Sequence, residues 1–551
     1  MTDARTAAEA WLAADPDPET QAALTELLAG SPAELEERFD GRLTFGTAGL
    51  RGPLGPGPLA MNRVLVRMAA AALGRTLLRD GTASRGVVIG YDARHKSDVF
   101  ASDTARVLAA LGIEARLLDT RSPTPLLAFA VRHLDCAAGV MVTASHNPPA
   151  DNGYKVYWGD GAQIVPPIDR TIEEAIGAGG LIGDDALAPE DDARIVRIDT
   201  ATLVRSYLAA TLGPVRPPAG RSPVTVYTAL HGVGAGIVAE AFAHVGLTPP
   251  VPVPEQCEPD PDFPTVAFPN PEEPGAMDLV LDLAAAHGAE LVLANDPDAD
   301  RLAVAVPARQ GAGYVQLTGD DVGALLGDHR LRHTGGRNRL VVNSLVSSSL
   351  LARMCEAAGV THRDTLTGFK WIMAAAAGLP DHELVFAYEE ALGYAVSPAV
   401  RDKDGITAAV AMTEMVMELA ADGRSVLDRL DELAAAHGLH LTGQVSPRFD
   451  DDRDRLPATM ARLRTAPPTE LAGSAVVEHQ DFLEHDPPAD LIRWRTADGD
   501  RVIVRPSGTE PKLKCYLEVT VLGSDGLEAG RDTGRKRLAE LASAVSDLLE
   551  P

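Results

Sequence analysis

The sequence predicts an α/β protein in which three tandem α/β domains of similar topology are followed by a smaller α+β C-terminal domain. Three observations lead to this prediction. The chain has 551 residues, which at about 150 residues per domain corresponds to three or four domains. A pattern of strand, turn, helix and glycine occurs three times along it. The last part of the chain lacks this pattern and shows short alternating strands around a tight turn, which are typical of an α+β domain.

Each repeat begins with a run of β-branched and aliphatic residues, continues into an Ala- and Leu-rich helix, and ends at a glycine. The runs are at 87–90, 224–227 and 340–342, and the glycines are Gly112, Gly246 and Gly359. A glycine commonly ends a helix because it adopts the left-handed conformation without strain. Strand, helix and next strand form the βαβ unit of a parallel sheet, so we expect three such domains in tandem.

The two ends of the chain have their own patterns. Apolar residues at helical spacing, such as Trp11 and Leu24, predict an N-terminal helical arm, and the motif from Ser31 to Glu34 predicts a capping box for a further short helix. Alternating residues at 501–505 and 514–521 predict strands in the last domain. The predicted domains are 1–195 with the arm, 196–314, 315–439 and 440–551.

Charge and cysteine usage exclude several classes of function. Lys and Arg number 50 against 78 Asp and Glu, which gives a formal net charge of −28. Such an acidic surface repels nucleic acid and anionic lipid, so neither is an expected partner. The four cysteines form no CxxC pair, and the N-terminus lacks the features of a secretory signal. We therefore expect a cytoplasmic protein.

The first polar loop contains a candidate nucleophile. Residues 143–148 read TASHNP and follow an apolar run at 139–142. Ser145 would then lie at the carboxyl end of a buried strand, where α/β sheets bind ligands. His146 and Lys155 have the chemistry to move its proton or to stabilise a negative charge. The same letters fit a plain Asn/Pro turn, and this loop alone leaves both interpretations open.

The second polar loop contains candidate metal ligands. Asp296, Asp298 and Asp300 follow an apolar run at 291–294, and alternate residues of an extended segment share one face. Three carboxylates together offer the hard oxygen ligands that magnesium prefers, with positions left for a phosphate oxygen and water. A solvated acidic turn is the alternative. A calcium EF-hand is excluded, because Arg301 stands where that loop needs glycine.

The third and fourth loops offer groups that bind a sugar and a phosphate. Residues 388–394 read YEEALGY, and the paired Glu389 and Glu390 could accept hydrogen bonds from sugar hydroxyls or could mark an acidic helix N-terminus. Residues 505–514 read RPSGTEPKLK, which combines hydroxyls, a glycine and cations in a hairpin turn. This composition fits a phosphate cradle, with a basic-flanked turn as the alternative.

Other common catalytic motifs find no support. The segment 232–236 has the spacing GxGxG, whereas dinucleotide sites need GxGxxG, and no Walker A, HExxH or GxSxG motif occurs. The sequence therefore does not support dinucleotide binding, nucleotide hydrolysis, zinc proteolysis or α/β-hydrolase chemistry.

In this order, the four loops resemble those of the α-D-phosphohexomutase superfamily, the phosphoglucomutases and phosphomannomutases. The resemblance covers essentially the whole chain beyond the N-terminal arm, and it implies four domains arranged as a heart around a central cleft. The YEEALGY loop, together with residues 367–372 and 401–405, is most similar to the branch of phosphoglucomutase 2 and phosphopentomutase.

The resemblance also implies a role for each motif residue. The implied catalytic residues are Ser145, which would carry a phosphoryl group, with Lys155, His146 and Arg51. The implied metal ligands for Mg²⁺ are Ser145, Asp296, Asp298 and Asp300. The implied substrate-binding residues are Thr47, Arg301, Lys370, Glu389, Arg505, Ser507, Gly508, Thr509 and Lys514.

The implied reaction interconverts glucose 1-phosphate and glucose 6-phosphate through a phosphoserine and a sugar bisphosphate, with glucose 1,6-bisphosphate as activator. Phosphopentomutase or phosphomannomutase activity by the same mechanism stays an alternative, as do a sugar-phosphate hydrolase and a non-catalytic sugar-phosphate sensor. The expected partner is a small sugar phosphate, without nucleic acid or membrane, and the expected assembly is a monomer or weak dimer.

Overall fold

The structure is a computed structural model that describes residues 3–45, 49–213, 222–311, 313–449, 455–507, 512–523 and 526–549. The predicted N-terminal arm is confirmed as three helices, which are α1 (Ala4–Ala14), α2 (Pro18–Ala29) and α3 (Pro32–Phe39). Trp11, Leu24 and Leu35 bury their side chains against the first domain. The predicted capping box is wrong, because the Ser31 side chain makes no capping hydrogen bond with a described residue. Burial of Leu35 attaches α3 instead.

The first α/β domain contains a six-stranded sheet. Its strands are β1 (Leu50–Pro53), β2 (Val87–Tyr91), β3 (Ala115–Leu118), β4 (Ala138–Val142), β5 (Asp151–Trp158) and β6 (Ile195–Ile198). Its helices are α4 (Arg63–Arg79), α5 (Ser97–Ala110), α6 (Thr124–His133) and α7 (Ile168–Ala178). The order is β1-β5-β4-β2-β3-β6, in which β4, β2, β3 and β6 run parallel. The strand predicted at 87–90 is confirmed as β2.

The second domain repeats this plan with five strands. Its elements are α8 (Thr200–Thr211), β7 (Thr225–Thr228), α9 (Gly234–His244), β8 (Val251–Pro252), α10 (Asp278–His287), β9 (Leu291–Ala294), β10 (Ala303–Pro307) and β11 (Tyr314–Gln316). The order is β11-β10-β9-β7-β8, with β7 parallel to β8 and β9. The predicted strand at 224–227 corresponds to β7, and the three aspartates follow β9.

The third domain is built on four strands. Its elements are α11 (Gly319–His333), β12 (Arg339–Ser344), α12 (Leu350–Ala358), β13 (Thr361–Thr365), α13 (Phe369–Ala377), β14 (Glu383–Glu389), β15 (Gly393–Ala395), α14 (Gly405–Ala421) and α15 (Val426–His437). The order is β13-β12-β14-β15, and the first three strands are parallel. Gly359 ends α12 in the left-handed conformation, as predicted.

The fourth domain differs in topology. Its elements are β16 (Leu439–Val445), α16 (Arg455–Thr465), β17 (Glu470–Leu471), β18 (Ser474–Asp481), β19 (Ile492–Thr496), β20 (Arg501–Pro506), β21 (Leu513–Val521) and α17 (Leu527–Leu549). Its strands, in the order β16-β21-β20-β19-β18-β17, all pair antiparallel. The prediction of three α/β domains and a smaller α+β domain is thereby confirmed.

The apolar cores follow the same division. One continuous core joins the three α/β domains and includes Leu126, Leu293 and Phe386, one from each. The fourth domain has a separate core around Trp494 and Leu517. None of the helices in the described parts of the chain has the length and apolar character to cross a bilayer.

Candidate active site

The loops after β4 and β9 meet at the boundary between the first two domains. Ser145 Oγ donates a hydrogen bond to Asp296 Oδ2 at 2.8 Å. Each loop turns sharply through one left-handed residue, Ser145 at φ 52° and Ala299 at φ 54°. Such a conformation is uncommon outside glycine and persists where surrounding contacts hold it. The candidate nucleophile therefore lies directly against the candidate metal ligands.

Arg94 holds the loop that carries Ser145, which we call the serine loop, through contacts with its backbone. Its guanidinium donates to the backbone oxygens of Ser145 at 2.7 Å, Pro148 at 2.7 Å and Asp151 at 3.0 Å. The side chain is buried and its plane also lies over the Phe263 ring, 5.0 Å from the centroid. Because these carbonyls occupy both terminal nitrogens of the guanidinium, Arg94 positions the loop.

Asp296, Asp298 and Asp300 form a buried carboxylate cluster. One oxygen from each lies within 4.8 Å of the others, and the three residues are almost completely buried. Oδ1 of Asp298 and Oδ1 of Asp300 accept no hydrogen bond from any described residue. Buried carboxylate oxygens without a partner are costly, and a divalent cation that prefers oxygen ligands satisfies them. The residues present therefore fit a magnesium ion.

Two lysines balance part of the charge of this cluster. Lys155 Nζ contacts Asp298 Oδ2 at 2.8 Å and Asp300 Oδ2 at 3.2 Å, and Lys403 Nζ contacts Asp300 Oδ2 at 3.2 Å. Burial acts to lower the pKa of Lys155, but the two carboxylates outweigh it and raise that pKa. Burial and the neighbouring aspartates raise the pKa of Asp296 well above its usual value. Lys155 is thus protonated at neutral pH.

His146 lies on the other side of the serine. Its Nδ1 is 3.2 Å from Ser145 Oγ, within hydrogen-bond distance. Burial, and then the positive charges of Arg301 and Arg51, hold the pKa of His146 well below its usual value. The imidazole is therefore neutral at neutral pH and can accept a proton.

Arg51 and Arg301 form a positive pair next to the serine. Arg51 Nη1 donates to Asn147 Oδ1 at 2.9 Å, and Arg301 Nη1 donates to Glu272 at 3.3 Å. The Nε atoms of both arginines are buried and have no acceptor among the described residues. Burial lowers the pKa of Arg51, and the charge of Arg301 lowers it further. Two adjacent guanidinium groups with unused donors fit an anion with several oxygens, such as a phosphoryl group.

The third domain contributes two glutamates at the end of β14. Glu389 Oε1 accepts a hydrogen bond from the Gly368 backbone at 2.6 Å, and Glu390 Oε2 accepts from Ser344 Oγ at 2.9 Å. Burial raises the pKa of Glu389, although Lys403 opposes this shift. The pair therefore belongs to a strand end, and the helix N-terminus considered from the sequence is wrong.

The fourth domain carries the candidate phosphate cradle at the ends of β20 and β21. Arg505 pairs with Lys514 across the two strands, and the Ser507 backbone donates to the Lys512 oxygen at 2.9 Å. Burial lowers the pKa of Lys514, whose neighbouring charges include Glu390, Arg505 and Arg301. The cradle thus faces the other loops. Gly508 and Thr509 of this hairpin, and Thr47 near Arg51, lie outside the described residues.

A cavity of about 390 Å³ separates the third and fourth domains at this point. Glu272, Glu390 and Tyr516 line it, one from each of the last three domains. Lys370 does not line this cavity and lies instead near the first domain. Its Nζ is 3.9 Å from Asp169 Oδ2 and 5.8 Å from the Trp371 ring centroid.

Comparison with known proteins identifies the family. Models described as phosphoglucomutase/phosphomannomutase alpha/beta/alpha domains I, II and III match residues 42–181, 210–311 and 318–436, and the C-terminal domain model matches residues 454–523. The chain belongs to the phosphoglucomutase/phosphomannomutase family. The resemblance inferred from the four loops is thereby confirmed.

Three relatives of this family carry different names. The chain is 43% identical over 497 residues to a probable phosphomannomutase of Haemophilus influenzae, covering 89% of this chain and 98% of that protein. It is 34% identical over 587 residues to a phosphopentomutase of Mus musculus, with coverages of 98% and 93%. It is 34% identical over 512 residues to a phosphoglucomutase of Staphylococcus aureus, with coverages of 89% and 92%.

A solved structure of a phosphoglucomutase/phosphomannomutase family protein from Burkholderia thailandensis has the same fold. Its TM-score is 0.67 at 20% identity, covering 91% of this chain and 96% of that one.

Sequence reasoning missed three residues of this candidate site. Arg94 holds the serine loop, Lys403 contacts Asp300, and Thr124 Oγ1 donates to Asp298 Oδ2 at 2.6 Å. Lys403 belongs to the segment 401–405, which indicated similarity to the phosphoglucomutase 2 and phosphopentomutase branch but no role for Lys403 itself. Arg94 follows β2, whose carboxyl end was a signal in itself, since ligand sites of α/β sheets gather at that edge. No motif or spacing in the sequence indicated a role for Thr124.

Proposed function

We propose that this chain is a phosphosugar mutase that interconverts glucose 1-phosphate and glucose 6-phosphate. The observation that carries the proposal is the 2.8 Å contact of Ser145 Oγ with Asp296, at the edge of a buried carboxylate cluster. A hydroxyl nucleophile beside a cation site suits phosphoryl transfer, because that reaction depends on positioning and charge neutralisation. Membership of the family supports the same class of reaction.

The proposed cycle has two phosphoryl transfers. In the first, a hydroxyl oxygen of the sugar monophosphate gives its proton to a base and bonds to the phosphorus of phosphorylated Ser145, while the bond from Ser145 Oγ to phosphorus breaks and Oγ takes up a proton. The product is a sugar bisphosphate. After it turns over, Ser145 Oγ gives up its proton and bonds to the phosphorus of the other phosphate. The bond from that phosphorus to the sugar oxygen breaks and the sugar oxygen takes up a proton, which restores phosphoserine and releases the isomeric monophosphate. A chain without phosphate on Ser145 is inactive until glucose 1,6-bisphosphate supplies it, which is why we propose this compound as activator.

Asp296, Asp298 and Asp300, together with a phosphoryl oxygen on Ser145, are proposed to hold Mg²⁺. When bound, Mg²⁺ supplies positive charge that neutralises phosphoryl oxygens. Arg51 and Arg301 add guanidinium donors that already contact Asn147 and Glu272, so little reorganisation is needed when the substrate arrives.

Lys155 and His146 are proposed to handle the protons. Lys155 is held in its charged form by two carboxylates, so it acts as the acid that stabilises or protonates the departing Ser145 oxygen. His146 is held neutral at 3.2 Å from Ser145 Oγ, so it accepts the proton when that oxygen attacks. At neutral pH Lys155 therefore carries a proton that it can donate, and His146 has a lone pair that can accept one.

The remaining residues are proposed to hold the substrate in either orientation. The cradle of Arg505, Ser507, Gly508, Thr509 and Lys514 would bind the phosphate that is not being transferred. Glu389 would accept hydrogen bonds from sugar hydroxyls, and Thr47 and Lys370 would contact the substrate from the first and third domains. A cradle in a separate domain suits a substrate that must present each of its phosphates to Ser145 in turn.

A second candidate is phosphopentomutase or phosphomannomutase activity by the same mechanism. Relatives with these names match 98% and 89% of this chain, which favours keeping both sugars under test. We further propose that the protein acts in the cytoplasm as a monomer or weak dimer. Its four free cysteines, three of them buried, support a reducing compartment.

A substrate panel tests the choice of sugar. The kcat/KM values on glucose, mannose and ribose 1-phosphates are measured with and without glucose 1,6-bisphosphate. The proposal expects the highest value on glucose 1-phosphate and a rate that increases with the bisphosphate. A higher value on ribose or mannose 1-phosphate would favour the second candidate, and steady release of free phosphate would indicate a hydrolase.

The Ser145→Ala variant tests the mechanism itself. We expect its turnover on every sugar of the panel to fall by about 10⁴-fold or more, because the covalent intermediate cannot form. The matched control is Ser206→Ala, which removes an exposed hydroxyl of α8 and should leave turnover unchanged. Turnover of the Ser145→Ala protein near the wild-type rate would overturn the proposed function.

A further inference from the structure

A second cluster of metal-ligating side chains lies in the third domain, between α11 and α14. His329 and His333 are one helical turn apart at the end of α11, and Glu414 and Glu418 have the same spacing on α14. Ligand atoms of His329, His333 and Glu418 all lie within 4.8 Å of one another. Asp320, in the first turn of α11, lines the active-site cavity. It is about 20 Å from His333 along the helix axis.

The contacts leave one nitrogen of each histidine turned toward Glu418. His333 Nδ1 is 2.8 Å from the backbone oxygen of His329, so Nδ1 carries a proton, and in the neutral ring the lone pair is on Nε2. That Nε2 is 2.9 Å from Glu418 Oε1. His329 Nε2 is 3.7 Å from Glu414 Oε2, and its Nδ1 is 3.7 Å from Glu418 Oε2.

His329 provides the independent sign that something belongs here. Its side chain is only 4% exposed, and its Nδ1 is buried without a hydrogen-bond partner in any part of the chain that the structure describes. A buried ring nitrogen without a partner is costly, and a metal ion next to Glu418 would satisfy it. The backbone carbonyl behind His333 is a support that metal-binding histidines commonly have, and the Glu414 carboxylate lies 3.7 Å behind His329 Nε2.

We propose that His329 Nδ1, His333 Nε2 and Glu418 bind one divalent transition-metal ion of the zinc class. Two imidazole nitrogens and one carboxylate suit zinc, whereas the all-oxygen aspartate cluster suits magnesium, so the two sites select different ions. Glu414 orients His329 as a positioning residue. The three ligands line a cavity of about 240 Å³, which leaves room for water as a further ligand. The ion joins α11 to α14.

Visible absorption of bound Co²⁺ tests the site in the full chain, with excess Mg²⁺ present to occupy the aspartate cluster. Co²⁺ with few ligands absorbs far more strongly than Co²⁺ in six-coordinate oxygen sites. We expect one equivalent of strongly absorbing Co²⁺, displaced by Zn²⁺, and loss of this signal in His333→Ala and Glu418→Gln. Both side chains are partly exposed, so these variants should fold. Asp298→Asn, in the aspartate cluster, should keep the signal.

Three further variants sharpen the test. Glu414→Ala should weaken Zn²⁺ binding by about 10- to 100-fold, because it removes only the support of His329. Arg332→Ala should strengthen binding by about two- to five-fold, because Arg332 Nη1 lies 3.4 Å from Glu418 and competes with the metal. The control His287→Ala, on the exposed surface of α10, should change nothing.

Absence of the Co²⁺ signal, its loss in Asp298→Asn, or its retention in both His333→Ala and Glu418→Gln would overturn the proposal. Mutase activity of His333→Ala should stay at the wild-type value, which separates this test from that of the proposed function.

Discussion

The proposed reaction centre and the proposed phosphate cradle are built in different ways. The centre lies between domains that share one apolar core, and buried contacts such as Lys155 with Asp298 and Lys403 with Asp300 cross its domain boundaries. The cradle belongs to a domain with its own core. The proposed reaction centre therefore lies within one rigidly packed unit, whereas the proposed binding site for the second phosphate belongs to a separately packed domain.

A buried ion pair helps to attach that domain to the third domain. Arg501 Nη2 lies 2.9 Å from Glu518 Oε2, and the same guanidinium donates to the backbone oxygens of Leu345 and Ser347 in the third domain. A small apolar cluster that includes Val346 and Tyr516 accompanies it. This comparison predicts that variants of the centre change kcat, while variants of the fourth domain change substrate binding or domain stability.

The largest effect is expected from breaking this attachment. Arg501→Met leaves the Glu518 carboxylate buried without its cation, which costs about 3–5 kcal/mol in free energy of unfolding. Urea denaturation followed by fluorescence measures it. The matched control is Arg495→Met, whose partner Glu478 is partly exposed, so its cost is about 1 kcal/mol or less. Equal costs for the two variants would contradict the role of the pair.

The next effect is expected at the centre. Asp298→Asn removes a carboxylate of the metal cluster and the partner of Lys155, so kcat should fall by about 10²- to 10³-fold with little change in KM. Steady-state kinetics over a Mg²⁺ titration measure this. Asp282→Asn, on the exposed face of α10, is the control. A wild-type kcat in Asp298→Asn would show that the cluster is not part of the reaction.

A smaller effect, on substrate binding, is expected at the cradle. Lys514→Ala should raise KM and lower kcat/KM by about 10- to 100-fold, with a smaller change in kcat, because a non-transferring phosphate is bound in ground state and transition state alike. Lys536→Ala, which removes an exposed lysine of α17, is the matched control. A loss confined to kcat would remove the distinction between centre and cradle.

The smallest effect is a pH dependence of the domain attachment. Burial acts to raise the pKa of Glu518, but Arg501 and His440 outweigh it and hold that pKa well below the usual 4.5. The folded state therefore keeps this carboxylate charged in acid while the unfolded chain takes up a proton. Stability from Glu518 is present above about pH 4.5 and decreases as the pH falls below it, by about 0.8 kcal/mol between pH 7 and pH 4.

Comparison of urea denaturation at the two pH values checks this prediction. The decrease in unfolding free energy on acidification should be smaller in Glu518→Gln by about this amount. An identical decrease in wild type and variant would contradict it.

The sequence predicted what is local in the chain. Strands, helices and the four polar loops follow from periodicity and from residue types next to one another, and Ser145, Asp296, Asp298 and Asp300 do meet at one place. It could not predict contacts between distant segments. Thr124 on Asp298 and Arg501 on the third domain depend on how folded domains pack, which no spacing along the chain records.

The wrong capping prediction and the open alternative at Glu389 have a similar origin. The capping motif at Ser31 and the acidic motif at Glu389 each fit two local geometries, and tertiary packing chose between them. Arg94 was predictable only in part. Its place after a strand end could be read from the sequence, but its contacts with the backbone of the serine loop, more than fifty residues away, could not.

The most direct test of the central claim is the fate of a phosphoryl group on Ser145. The protein is incubated with labelled glucose 1,6-bisphosphate, separated from it, analysed by peptide mass spectrometry, and then mixed with unlabelled glucose 1-phosphate. The account predicts one labelled phosphoryl group on Ser145 that moves to the sugar at a rate consistent with kcat. Label that never reaches Ser145, or that leaves it only as free phosphate, would contradict the account.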